Sequence, residues 1–457
     1  MEKGTSVHSV FWFWSQGAPL CGYFSKSPGK RWASTTIIVF IFVISFVYWI
    51  DKSAITDDNF FRTIATTLSP KKSPAHVEFS HNHSNLNLTL TYPSPTTHPV
   101  TIEKEESSPV ACPAYTRWIH EDLQPWKSTG ITRDMVERGR VHANFRLVIV
   151  KGKAYVERYN LELMFWCGDS TRIKKRDHQG LKAKSVPPLF HYCNDDESLD
   201  IVFPDWTFWG WAELDIKPWT TTLEALKEGN KRIKWKDRKP YAFWKGNPYV
   251  SKRRVELLKC NVPNKKDWNV RFYIQDWIKE SKKGFKNSKL EDQCTHRYKI
   301  YIEGNTWSVS EKYILACNSM TLLVMPQYHD FFTRSLVPMQ HYWPIKITDN
   351  ICRDLKLAVE WGNNHTDKAQ KIGEAGSKFV QENLKMDFVY DYMFHLLSEY
   401  AKLLKFKPTI PPGTLEACSE TMACLKDDKL WKIKKFMEKS MVKTPRDTLP
   451  CTMPPPS

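Results

Sequence analysis

The chain contains no Asp-x-Asp anywhere in its 457 residues, no Cys-x-x-Cys pair and no internal repeat. The first absence removes the usual carboxylate clamp that holds a divalent ion on a nucleotide diphosphate. Any nucleotide-sugar chemistry here must then lean on cationic side chains and helix N-termini. The second absence argues against zinc ribbons and thioredoxin chemistry. A formal net charge of +17 invites a nucleic-acid reading, but the basic residues are spread among tryptophans and acidic residues rather than drawn into a stripe. No nucleic acid is expected as a partner. An excess of Lys and Arg suits anionic small substrates or a membrane surface.

Residues 33–50 (ASTTIIVFIFVISFVYWI) are uncharged and dominated by β-branched and aromatic side chains. Eighteen residues at helical rise span roughly 27 Å, about the hydrocarbon thickness of a thin bilayer. Lys26, Lys30 and Arg31 precede the run, and Asp51, Asp57 and Asp58 follow it. The positive-inside rule therefore leaves a cytosolic tail over 1–31, a signal-anchor over 32–50 and the remainder in the lumen. A cleaved signal peptide fits poorly, because a long segment precedes the run and no small-x-small cleavage site follows. A single-pass type II protein of the Golgi or ER membrane is expected. Ten of the eleven cysteines lie beyond the anchor, and disulfides are the expected fate of several. Sequons at Asn82, Asn87 and Asn364 are open to glycosylation in that topology.

Residues 51–110 are rich in Ser, Thr, Pro, Asn and His without an apolar period, and read as a disordered stem. His81 and His83 in this stem read as solvated side chains rather than as a metal pair. From Cys112 the composition is that of a folded domain, divided into lobes over 111–220 and 221–405, with a loosely ordered Pro- and Lys-rich tail over 406–457. Residues 145–150 and 154–158 read as a hairpin, and 161–165, 198–203 and 241–244 as buried strands. Helical spacing covers 132–140, 221–231, 266–280, 311–317, 368–383 and 388–404. The alternation indicates an α/β class with parallel sheets.

Four stretches carry chemistry. In CTHRYKIYIEGNTWSVSEKYILAC a strand over 298–302 turns at Gly304 into a helix opening at Ser308, with Ser308 and Glu311 in the relation of a capping box. Orphan N–H groups at such a junction can hold a phosphate, although most such junctions are plain architecture. In AFWKGNPYVSKRR an apolar strand ends at Gly246 and Asn247, and Arg253 or Arg254 can reach back to a phosphate; a turn before a solvated basic helix is the alternative. Asp169, in FWCGDS, follows a buried strand at the end where α/β proteins keep reacting groups, or else caps a turn. PDWTFWGWAELDIKPW holds four tryptophans in sixteen residues, which suits a sugar or glycopeptide cleft as well as core packing.

Read together, PAYTRWIHEDLQPW, IVFPDWTFWGWAE, FWKGNP, DQCTHRYKIYIEG, SVSEKYILACNSMTLLV and KFVQENLKMDFVYDYMFHLLSEY resemble a plant member of the Rumi-type protein O-glucosyltransferases, glycosyltransferase family 90, which also includes the fungal capsule-associated proteins. The resemblance implies a metal-independent, inverting enzyme of GT-B fold, with two Rossmann-like lobes and a nucleotide sugar between them, and no cofactor. It implies transfer of glucose or xylose from UDP-glucose or UDP-xylose to a protein or polysaccharide hydroxyl. Asp169 matches the catalytic base, which takes the acceptor proton as the oxygen attacks. Asn247 and Arg253 match positions that hold UDP, as do Asn305, Thr306, Trp307, Ser308, Val309 and Ser310. Cys294 and Cys317 match a disulfide pair. Trp209, Glu213 and Lys217 fall where the family contacts sugar and acceptor.

Two departures stand out. Ser310 occupies the place of an Arg in the phosphate loop of animal relatives, so positive charge must come from Lys312, Arg297 or Arg253. The helix-bearing segment expected between YVERY and LELMF is reduced to Asn160. Its loss is expected to strain the first sheet and the acceptor wall, because adjacent parallel strands need a crossover of a dozen or more residues. A catalytically inactive, shortened relative that binds glycans or partners in the lumen is the alternative reading.

Overall fold

The computed structural model describes residues 110–456 except 152, 158–162, 262–266, 348–349, 411, 413, 417–430 and 441–447. The expected tail, anchor and stem, with Asn82 and Asn87, lie outside the described residues. Among the described residues no helix is long and apolar enough to cross a membrane.

Two sheets organise the described chain. Phe145–Val150 (β1) and Lys153–Glu157 (β2) form an antiparallel hairpin, and Leu163–Phe165 (β3) pairs antiparallel with the other edge of β1. Leu189–His191 (β4) then pairs parallel with β3. Asn194–Asp195 (β5) leaves the sheet to pair with Tyr328–His329 (β11), and Ile201–Val202 (β6) returns to lie parallel beside β4. The first sheet is therefore mixed, not parallel throughout. Its parallel pairing starts only where residues 166–188 give β3 and β4 a long connection.

That arrangement changes the weight of the missing segment. Glu157 pairs with Arg146 and Leu163 with Leu147, so the two ends to be joined lie at the same end of β1. Two strand spacings come to about 9.6 Å, and six peptide steps reach roughly 20 Å. The strands flanking the short link are not hydrogen-bonded neighbours, and the first sheet closes without the expected crossover.

The second sheet is parallel throughout. Lys239–Gly246 (β7), Val270–Ile274 (β8), His296–Tyr301 (β9), Met320–Val324 (β10) and Trp343–Ile345 (β12) pair in the order β12–β10–β9–β7–β8. All five residues of β10 are buried, as a strand covered on both faces requires. The helix expected over 266–280 is instead the edge strand β8 followed by a short helix, Trp277–Lys282. Alternating VRFYI fits a half-buried edge, and its pairing with β7 outweighs the helical spacing. Because β8 lies on one side of β7 and β9 on the other, the winding reverses between β7 and β9. Their carboxyl ends flank a topological switch point, the usual ligand crevice of such sheets.

Described parts of the 406–457 tail pack onto the fold. Leu415–Glu416 (β13) pairs with β2. The helix Trp431–Ser440 brings Phe436 against Gly210 and under Lys217, whose ammonium lies 5.1 Å from the ring centre. Cys451 is disulfide-bonded to Cys112, and Cys112 N–H donates to Thr452 O at 2.9 Å. Cys260–Cys352 and the expected Cys294–Cys317 are also bonded, and Cys167 is disulfide-bonded as well. One hydrophobic cluster runs from Tyr115 and Phe165 through Trp219 to Tyr392, crossing the expected lobe boundary at residue 220.

Candidate active site at the facing strand ends

At the switch point the organising side chain is Arg254. Its Nε donates to Glu303 O at 2.8 Å, Nη1 to Asn247 O at 3.1 Å, and Nη2 to Ile302 O at 3.0 Å and Ser308 Oγ at 3.2 Å. One buried guanidinium thus ties the loop after β7 to the loop after β9. Burial lowers its pKa to about 10, which leaves it charged at neutral pH. Asn247 uses its side-chain oxygen to accept from Tyr249 N–H at 2.9 Å, shaping the turn after β7.

Arg253, the half-exposed neighbour, forms an ion pair with Glu303 at 2.9 Å. The buried Glu303 carboxylate also accepts from Gln327 and Tyr328 N–H at 2.8 and 2.7 Å. Burial raises its pKa, and these bonds with Arg253 and Arg254 oppose the rise. Of the three cations expected to offset Ser310, Arg253 alone faces the switch point. Lys312 is buried in an ion pair with Asp205 at 3.2 Å and donates to Thr207 Oγ1 at 2.6 Å. Arg297 stands at the opposite end of β9, bonded to Lys236 O and Asn363 Oδ1.

The capping box at Ser308 is not formed. The helix after the switch is only Glu311–Leu315, its N-cap is Ser310, and neither side chain caps it. Ser308 Oγ lies 2.9 Å from Ser310 Oγ, while Glu311 turns inward, where Thr333 Oγ1 donates to its Oε2 at 3.2 Å. Ser308 N–H instead meets the Tyr301 hydroxyl at 3.3 Å, and Val309 O faces the Lys312 ammonium at 3.4 Å. Asn305 is exposed at the turn. Trp307 is buried to 8 % exposure with no partner for its Nε1–H among the described residues. Its ring packs against His191, Tyr192 and Trp206, at 5.7, 5.7 and 6.2 Å between centres.

The loop after β3 arrives from the other sheet. Its Cys167 N–H donates to Asn144 Oδ1 at 2.8 Å, and His191 Nε2 lies 2.7 Å from Gly168 O. A Cβ at Gly168 would fall 2.1 Å from the Trp166 ring, so any larger residue here would displace that ring. Asp169 follows with its side chain exposed. Its carbonyl accepts from Thr306 Oγ1, which joins the expected base to the expected diphosphate loop. Cys193, past β4, backs the same contact: burial raises its thiol pKa, while Trp307 N–H and the Thr306 side chain lower it.

The third expected group divides. Trp209 is buried at 3 % exposure, with its Nε1 donating to Tyr390 OH at 3.1 Å, and belongs to the core. Trp206 and Trp211, half-buried and edge-to-face at 5.2 Å, lead instead toward Trp307, 6.2 Å from Trp206. Glu213 is half-buried in the turn Ala212–Leu214, and Lys217 pairs with Asp215 at 2.8 Å. Asn364 is exposed at the end of the helix Ile351–Asn364. The only cluster of three metal-ligand types among the described residues is Cys112, Cys451 and His395, and its two cysteines are bonded to each other.

Sequence reading missed Glu303 and His191. Both are ordinary polar residues beside strand ends, and only the fold supplies their partners.

The sequence profile of Glycosyl transferase family 90 matches residues 107–161 and 159–457, and the chain belongs to that family, as a Rumi-type member. The chain is similar to Protein O-glucosyltransferase 1 of Homo sapiens, 29% identical over 68% of this chain and 85% of the relative. It is 27% identical to an O-glucosyltransferase rumi homolog of Aedes aegypti, over 65% of this chain and 80% of the relative. With O-glucosyltransferase rumi of Drosophila melanogaster the identity is 25%, over 65% and 78%. The protein is a glycosyltransferase.

Proposed function

We propose that the protein moves glucose, or alternatively xylose, from its UDP form to a hydroxyl of a protein acceptor, with inversion and without a metal ion. A GT-B arrangement of the two sheets and a lumenal, membrane-anchored setting in the Golgi or ER complete the reading. A polysaccharide acceptor is the alternative to protein. The names of the curated relatives favour glucose and protein, and the disulfides suit an oxidising compartment. The missing Asp-x-Asp favours chemistry without a metal.

The Asp169 carboxylate takes the acceptor proton as that oxygen bonds to the anomeric carbon. The bond from this carbon to the β-phosphate oxygen breaks, and UDP leaves with the electron pair. Arg253 and the hydroxyls of Ser308 and Ser310 receive the growing negative charge. The observation that carries this reading is the Thr306 hydroxyl donating to the Asp169 carbonyl, which holds base and leaving-group loops together. Asp169→Asn is expected to abolish transfer while UDP still binds in calorimetry. Persistent transfer by that variant rules Asp169 out as the base. Activity is expected to survive EDTA.

An inactive relative is the second reading, favoured by the family match falling into two pieces that meet at residues 159–161. Calorimetric titration with UDP separates the two, since an inactive binder of this kind is expected to give no UDP heat.

A further inference from the structure

Charge that looks scattered in the composition is concentrated at one place, beginning three residues past Asp169. The segment RIKKRDHQGLKAK holds Arg172, Lys174, Lys175, Arg176, Lys182 and Lys184 against a single acid, Asp177. Its root is fixed. The Arg172 guanidinium stacks 3.8 Å from the Trp166 ring centre, and Trp166 Nε1 donates to Ser170 O at 2.8 Å. The buried Asp200 carboxylate accepts from Arg172 and Ile173 N–H at 3.0 and 3.1 Å. Lys174 is held by Asp195 at 3.2 Å.

Beyond that root the segment makes two short turns, Lys175–Asp177 and Gly180–Ser185, with no buried residue in either. Lys175, Lys182 and Lys184 are exposed and pair with no carboxylate among the described residues, and the Arg176–Asp177 contact is long, at 3.9 Å between exposed groups. Leu181 stands 89% exposed at the tip. Lysines held this way, without a paired carboxylate and on the segment that leads out from Asp169, act on an incoming acceptor over about one Debye length, roughly 8 Å at physiological salt.

We propose that the ribbon over residues 172–184 docks an acidic polypeptide, steering carboxylates near the acceptor hydroxyl onto Lys175, Lys182 and Lys184 as that hydroxyl approaches Asp169. The proposal rests on the transferase reading and names its acceptor class. The protein acceptor of the proposed function is the occupant this positive charge complements, which favours a soluble acidic chain over a lipid surface. Leu181 supplies an apolar contact between the lysines.

The test uses the full chain in detergent, wild type and the triple variant K175E/K182E/K184E. Probes are a fluorescent oligoglutamate, an oligogalacturonate of equal charge, and vesicles containing phosphatidylserine, with UDP titrated in parallel. Oligoglutamate is expected to bind wild type, to weaken about tenfold in the triple variant and to weaken further with salt, while UDP binding stays unchanged between the two proteins. Equal oligoglutamate binding by both proteins, or a response confined to oligogalacturonate or to vesicles, overturns the proposal. Loss of UDP binding in wild type strikes the donor reading instead and leaves the ribbon measurement standing.

Discussion

The Thr306 hydroxyl donates to the backbone carbonyl of Asp169 across 137 residues of sequence. It is a bond between a loop that follows the parallel sheet and a loop that follows the mixed one, so the spacing of the proposed base and the proposed donor loop depends on it. Thr306→Val keeps the shape and removes the donor. The expected loss of stability is about 1 kcal/mol, the net worth of one such bond. Turnover should fall about tenfold or more, because misplacement of the reacting groups is costly, while calorimetric UDP affinity changes little. Thr306→Ser should restore most of the turnover. Equal loss in both variants would show that the hydroxyl is not what matters.

Neighbouring arginines should behave oppositely. Arg254 spends its donors on Asn247, Ile302 and Glu303 carbonyls and on Ser308, so Arg254→Ala leaves buried carbonyls unpaired. A loss of about 3 kcal/mol is expected, read as a lower denaturant midpoint, and Lys should not rescue because it lacks the planar fork. Arg253→Gln, at a half-exposed position, should leave folding nearly intact and weaken UDP binding about tenfold. Reversed outcomes would exchange the roles assigned to the two residues.

This pair also shows where sequence reading stops. Either arginine could reach back from the strand end, and only the packing decides that Arg254 turns inward while Arg253 faces the crevice. The strand and the Gly304 turn were readable because they are local, whereas the Cys294–Cys317 pair followed from the family resemblance. Glu311 was misread as half of a capping box because its true partner, Thr333, is brought in by the fold. The helix expected over 266–280 failed for a similar reason, since β7 offers VRFYI a ladder that spacing alone does not reveal. The anchoring of Cys451 was not legible because its partner, Cys112, lies 339 residues away in sequence.

Lys299 gives a pH-dependent prediction. It is buried on β9, with its ammonium 3.3 Å from Gln293 O and 3.4 Å from Cys317 Sγ, and no carboxylate pairs with it among the described residues. Burial, aided by Arg238, pushes its pKa from 10.5 down to about 7. His296 nearby is pushed down to about 4 by burial and stays neutral across that window. The unfolded chain therefore binds more protons between about pH 7 and 10.5, and stability from this group rises with pH there. Below pH 7 the full cost of a buried charge remains. Lys299→Met should melt at a higher temperature than wild type at pH 6, with the gap narrowing toward pH 10. A gap of constant size would exclude titration of Lys299 as its source.

The tail should prove structural, and its helix should matter to the acceptor side. Gly210 has φ of +103°, and a Cβ there would fall 2.8 Å from Phe436 and 3.1 Å from Pro218 N, so the ring seats directly on that bend. Phe436→Ala should cost about 3 kcal/mol through the cavity it leaves and loosen the turn carrying Glu213 and Lys217. The acceptor KM should rise while UDP affinity holds, since that helix packs on the turn Ala212–Leu214. Cys451→Ser removes the closure of the domain on itself and should lower the melting temperature, as loss of a native disulfide typically costs about 2–5 kcal/mol. A chain ended at Phe406 loses both devices and should melt lower than either variant. If it melts with wild type, the tail is dispensable, and the turn at Glu213 owes its shape to the residues before it.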